Sequence, residues 1–171
     1  MQKPIILIGL MGCGKTSIGK RLAPKLKLGF IDLDHKIEES AGMPISQIFS
    51  QYGEKYFRDL ELKTLKESLT NKPIVISTGG GAFINDEIRS LIKEKALSIW
   101  IKADLETLLE RVSRKNTRPL LEHGDKKQIL QDLMNKRYPI YQEADIIVET
   151  SRGAHEIVLK RIIEALNHAK K

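Results

Sequence analysis

The stretch Gly9-Leu10-Met11-Gly12-Cys13-Gly14-Lys15-Thr16 constrains this chain more than any other, because it satisfies G-x-x-x-x-G-K-[ST] between an apolar run and a segment of helical period. That order, strand then glycine loop then helix, is the one that cradles phosphates. Glycines let successive backbone N–H groups converge on phosphate oxygens, and a helix N-terminus adds positive potential. Lys15 has the reach for the β and γ phosphates, and the Thr16 hydroxyl is a ligand for Mg²⁺. The loop therefore predicts a nucleotide-binding α/β protein.

The rest of the chain carries the matching pattern. Short apolar runs at 5–8, 30–33, 74–78, 97–101 and 146–149 alternate with longer helical segments, as βαβ units of a parallel sheet do. Leu105, Leu108, Leu109 and Val112 fall at i, i+3, i+4 and i+7, and a similar stripe runs from Ala154 to Leu166. A helix is expected from Asn85 or Asp86 to Lys95, another over 53–69, and a short one before it over 44–51. Pro24 breaks the local rule, so the first helix should kink there or end near Ala23. No repeat or Gly/Pro/Ser-rich linker divides the 171 residues, and one domain over 1–171 is expected.

Composition narrows the partners. Lys and Arg outnumber Asp and Glu by 29 to 22, a net charge of +7 that favours anionic ligands. Aromatic residues are only 5% and the basic ones are scattered, so a nucleic-acid interface is not expected. No apolar run is long enough to span a bilayer, and no secretory leader is recognised. With Cys13 as the one cysteine, no internal disulfide forms, and a cytoplasmic location is expected. His35, His123, His155 and His168 lack metal-ligand spacing and read as surface or packing residues.

The residues downstream of the loop separate reaction classes. The guanine-reading and switch motifs of a regulatory GTPase are missing from the sequence. A second strand ends Ile31-Asp32-Leu33-Asp34, where alternation would put both carboxylates on one face at the carboxyl edge of the sheet. One would hold the metal while the other meets an acceptor hydroxyl; Asp34 as a plain helix N-cap is the alternative. The third strand runs into Gly79-Gly80-Gly81, which suits a substrate lying against bare main chain. For Arg58 an ion pair with Glu54, Asp59 or Glu61 is the alternative to a ligand contact. Residues 113–124, with Arg114, Lys115 and Arg118, read as a basic lid or as a simple loop.

Together these residues resemble the shikimate kinase family, in the nucleoside monophosphate kinase-like group of P-loop folds. The likeness covers nearly the whole chain. It runs through 30–34 with Ile37-Glu38, Gly42, Ile45, Ile48-Phe49, Gly53-Glu54, Phe57-Arg58 and Glu61. It continues through 79–81, Arg118-Pro119-Leu120-Leu121 and Arg137-Tyr138-Pro139-Ile140-Tyr141. The resemblance implies a three-layer fold with a central five-stranded parallel sheet, a mobile lid over about 113–124 and a substrate-binding region over about 34–61. It implies transfer of the γ-phosphoryl group of ATP to the 3-hydroxyl of shikimate, with Mg²⁺ as cofactor, in the pathway to chorismate and aromatic amino acids. The partners implied are ATP and shikimate, with no nucleic acid and no membrane, and a monomer is expected.

Residue roles come from the same resemblance. Gly12, Cys13, Gly14, Lys15, Thr16 and Ser17 form the phosphate cradle, with Thr16 on Mg²⁺ and Asp32 supporting the metal. Asp34 hydrogen-bonds the acceptor and is the candidate base. Arg58 and Arg137 grip the carboxylate, Glu61 holds Arg58, and Gly79, Gly80 and Gly81 offer backbone to the ring. Arg118 is the lid arginine, and Arg111 with Arg152 contacts the adenine side. A gluconate-type kinase on the same fold is the rival reading. Cys13 departs from the usual small residue, and its place beside Lys15 leads to the expectation that thiol alkylation inhibits and ATP protects.

Overall fold

The computed structural model describes residues 3–70, 72–114, 124–151 and 155–169. Five parallel strands, β1 (Ile5–Ile8), β2 (Gly29–Asp32), β3 (Ile74–Ser77), β4 (Leu97–Ala103) and β5 (Ile146–Thr150), form one sheet in the order β2-β3-β1-β4-β5. The central strand β1 pairs with β3 (Leu7 opposite Ser77) and with β4 (Leu7 opposite Ile99). All four of its residues are buried, which is why it reads as an unbroken apolar run rather than an alternating one. Each such side chain contributes roughly 1.5 to 3 kcal/mol by leaving water. Edge strand β2 is only half-buried.

Among the described residues seven helices flank the sheet: α1 (Lys15–Lys25), α2 (Leu33–Ala41), α3 (Ile45–Ser68), α4 (Asp86–Lys95), α5 (Leu105–Ser113), α6 (Lys126–Tyr141) and α7 (His155–His168). Helix α1 packs on β2, β3 and α7, while α5 lies on α6, and α6 in turn on the short 3₁₀ turn Ala82–Ile84. This is the three-layer α/β arrangement expected. Asn85 caps α4 by accepting from the Ile88 N–H, and Asp104 caps α5 by accepting from Thr107.

Two local expectations need correction, and a third holds. Strand β2 ends at Asp32, not Leu33, because the Asp32 carboxylate accepts from the His35 N–H and opens α2. Asp34 therefore sits in the first turn of a helix, and strand alternation is not what places it beside Asp32. Helix α1 runs past Ala23 to Lys25; Pro24 falls in the last turn, where its missing N–H forfeits a single bond. The two helices expected over 44–51 and 53–69 are both present, as the two arms of α3, separated by a kink at Gly53, whose φ of 84° and ψ of 173° only glycine adopts readily.

Candidate active site

The phosphate loop leaves the end of β1 and enters α1 through Gly14, the N-cap, at φ 98°. A residue with a Cβ is strained there, and its Cβ would lie 3.3 Å from His155 Cε1. Lys15 is nearly buried across the loop, donating to the carbonyls of Gly9 (2.7 Å) and Leu10 (3.0 Å). Ser17 is exposed on the first turn of α1. Arg111 reaches over from α5 to donate to the Cys13 carbonyl (2.9 Å) and the Ser151 carbonyl (3.1 Å), tying the loop to the segment after β5. Cys13 does not face this surface. Its thiol is buried beneath Gly9 and lies 3.8 Å from the Lys15 ammonium, so alkylation there requires the loop to open.

Asp32 and Thr16 meet at the carboxyl edge. The Thr16 hydroxyl donates to Asp32 Oδ2 (2.7 Å) and lies 3.5 Å from Ser77 Oγ. This all-oxygen set of two hydroxyls and a carboxylate, beside a phosphate loop, fits Mg²⁺, which takes few protein ligands and completes its shell with water and phosphate. No cluster of three or more His, Cys, Asp or Glu suited to a metal exists among the described residues. His35 pairs with Glu39 at the surface and His168 is exposed, while His155 packs near Gly14 with its pKa lowered by burial and by Arg21 and Arg111.

Beyond β3, the three glycines each meet a different functional side chain. A Cβ at Gly79 would lie 2.9 Å from Asp34 Oδ1 and 3.1 Å from Glu61 Oε2; one at Gly80 would lie 3.1 Å from Arg137 Nη1; one at Gly81 would run into the Arg58 guanidinium. The strip is bare because α2, α3 and α6 all press charged groups onto it. The strand register anchors it, since the Thr78 N–H (3.2 Å) and hydroxyl (2.9 Å) both donate to the Leu7 carbonyl. A cavity of ≈ 220 Å³ opens here, lined by Glu54, Arg58, Gly81, Ile84, Asn85 and Arg137.

Helix α3 positions two of these groups. Phe57, Glu61, Thr64, Leu65 and Ser68 form its buried stripe, and Arg58 projects beside it. Arg58 donates to Glu61 Oε1 (2.8 Å) and also pairs with Glu54 (3.6 Å). The ion-pair alternative for Arg58 is thus real, yet it coexists with the cavity: Glu61 is fully buried and holds one nitrogen while the guanidinium still lines the opening. Burial pushes the Glu61 carboxyl up to about 7; the Asp34 charge adds to this, and Arg58 and Arg137 oppose it.

The site expected from sequence is brought together at one end of the sheet: Lys15, Thr16 and Asp32 on one side, Asp34, Arg58, Arg137 and the glycine strip on the other. Arg118 and Arg152 lie outside the described residues, as does most of the expected lid. Sequence reasoning missed Ile84 and Asn85 as cavity walls and Ser77 beside Thr16. Asn85 was legible only as a helix cap, and nothing in its spacing marks a pocket.

Comparisons with known proteins point to one family. The family model described as "Shikimate kinase" matches residues 11–167. A shikimate kinase of Caulobacter vibrioides is 48% identical over 98% of this chain and 84% of its own, and one of Bartonella henselae is 43% identical over 98% and 80%. Among solved structures, a shikimate kinase from Acinetobacter baumannii in complex with shikimate superposes with a TM-score of 0.94 at 36% identity, covering 99% of this chain and 96% of that one. A gluconokinase from Sinorhizobium meliloti, at 19% identity and a TM-score of 0.62, shares the fold alone.

Proposed function

Because the chain belongs to the shikimate kinase family, we propose that it transfers the γ-phosphoryl group of ATP to the 3-hydroxyl of shikimate, giving shikimate 3-phosphate and ADP. The observation that carries this reading is the placement of two arginines and one aspartate around one bare strip of main chain. Arg58 and Arg137 present planar donor forks to a carboxylate at the Gly80–Gly81 end, where lysine would offer only a point charge. Asp34, at the Gly79 end, accepts from the acceptor hydroxyl and takes its proton as the oxygen attacks.

Phosphoryl transfer depends mainly on position and charge neutralisation. Gly12, Cys13, Gly14, Lys15, Thr16 and Ser17 supply the cradle through main-chain N–H groups, and the Lys15 ammonium turns from its loop carbonyls toward the β and γ phosphates. Mg²⁺, held by Thr16 with Asp32 behind it, would supply further neutralisation of phosphate charge. Arg118 is assigned to the transferring phosphate from the lid, and Arg111 with Arg152 to the adenine side. ATP dependence supports a cytoplasmic setting, and one copy of the chain carries every proposed group, which supports action as a monomer. No helix among the described residues is long and apolar enough to cross a membrane.

The test is ATP turnover across shikimate, quinate and gluconate with Mg²⁺. Shikimate should give the highest kcat/KM by orders of magnitude. A preference for gluconate would overturn the carboxylate clamp and the substrate with it.

A further inference from the structure

Tyr141 carries a polar atom that the proposed reaction does not use. It ends α6, is fully buried, and packs in an aromatic cluster with Trp100 (ring centroids 5.6 Å apart) and Tyr138 (6.1 Å). Packing alone would be served by phenylalanine, since a buried hydroxyl is costly unless it finds a partner. Its hydrogen-bond acceptor and its charged neighbour here both belong to the acceptor pocket. The hydroxyl donates to the Gly80 carbonyl, and Arg137 stands one helical turn back on the same face. Arg137 Nη1 in turn lies 3.1 Å from where Gly80 would carry a Cβ. A phenol donates one proton and accepts on its lone pairs, so this single oxygen can tie a peptide group to a guanidinium.

We propose that Tyr141 is a positioning residue for the acceptor: its hydroxyl fixes the Gly80 peptide and the Arg137 guanidinium in the relative placement that receives the substrate carboxylate. The inference rests on the reading of Arg137 as a carboxylate-binding group. Tyr138 provides the contrast. It has the same chemistry and the same Trp100 neighbour, at 4.8 Å, but donates to the Ala103 carbonyl at the end of β4. Two tyrosines three residues apart, one buried and one half-buried, thus address different parts of the fold.

The experiment compares steady-state kinetics of wild type, Tyr141→Phe and Tyr138→Phe, with both substrates varied. Tyr141→Phe should raise the shikimate KM about five- to twelvefold, the value of one hydrogen bond, with the ATP KM unchanged and kcat within about threefold. Tyr138→Phe should leave both KM values unchanged. In an Arg137→Ala background Tyr141→Phe should add less than about twofold, because the group it positions is gone. An unchanged shikimate KM, a parallel rise in the ATP KM, or full multiplicative effects in the Arg137→Ala background would each overturn the proposal. If Tyr141→Phe is weakly folded, shikimate titration at low temperature, scored on the folded fraction, decides between the same outcomes. Wild type that fails to phosphorylate shikimate refutes the functional reading and this proposal together; active wild type with an unaffected Tyr141→Phe refutes this proposal alone.

Discussion

Arg58 lays its guanidinium against the bare Cα of Gly81, with its Cζ only 2.7 Å from the place a Cβ would take. Gly81 has φ −89° and ψ −7°, a conformation open to any residue, so space and not backbone strain forbids a side chain. Gly81→Ala should displace Arg58 and raise the shikimate KM by about tenfold or more, while the ATP KM stays within about twofold. Kinetics with each substrate varied in turn checks this, and an unaltered shikimate KM would remove Arg58 from the clamp.

Removing either arginine should separate binding from folding. Arg58→Ala and Arg137→Ala each lose a charge-assisted contact and should weaken shikimate binding about ten- to 150-fold, with ATP binding nearly unchanged. Only Arg58→Ala should also lower the melting temperature markedly, because it strips fully buried Glu61 of its 2.8 Å partner. Calorimetric titration and thermal denaturation of both variants test the difference.

Glu61 should make stability fall as pH rises. Its folded-state pKa of about 7 lies above the ordinary 4.5, so between those values the folded protein binds more protons than the unfolded chain. By linkage, stability then declines from about pH 4.5 to 7, by up to roughly 3 kcal/mol. Urea titrations across that range on wild type and Glu61→Gln give the readout: the variant should lose this component of the slope.

Lys15→Ala should reduce turnover by about 10²- to 10³-fold or more, as expected for removing a transition-state cation. It also deletes the bonds to two loop carbonyls and a weak one to the Cys13 thiol, so a modest fall in melting temperature of about 2 to 4 °C should accompany it. Single-turnover kinetics and a melting curve on one preparation measure both. Near wild-type turnover would sink the phosphate-loop assignment.

Cys13 should resist alkylation in the folded protein and react fully on unfolding, since its thiol is buried. Ellman titration with and without guanidinium measures the ratio. Fast labelling of the native protein would show that the loop opens far enough to expose its underside.

Sequence patterning located the five strands of the described residues because each is a short, largely apolar run, fully buried in β1 and only partly so in β2 and β5. It misjudged the end of β2, because Asp32 serves as a cap, and a cap and a strand terminus share the same residue types. It did not foresee the burial of Cys13: the thiol does lie 3.8 Å from the Lys15 ammonium, but nothing along the chain says that it is shut beneath Gly9. The site residues were legible as motifs, yet their mutual placement was not. That Gly79, Gly80 and Gly81 each face a separate charged group depends on where α2, α3 and α6 arrive, which is tertiary information. Tyr141 was legible only as part of a motif, its hydroxyl's target being sixty-one residues away.

The pairing of Leu7 with Ser77, stapled by Thr78 onto the Leu7 carbonyl, means that donor and acceptor stand on adjacent rungs of one ladder. A slip that kept every side chain on its proper face would shift β3 by two residues, about 6.6 Å, whereas reacting atoms must come within about 3.5 Å. No closing motion of a surface segment could make good that error. The distance across which the phosphoryl group travels is therefore set when the central strands zip together in folding, before either substrate is met.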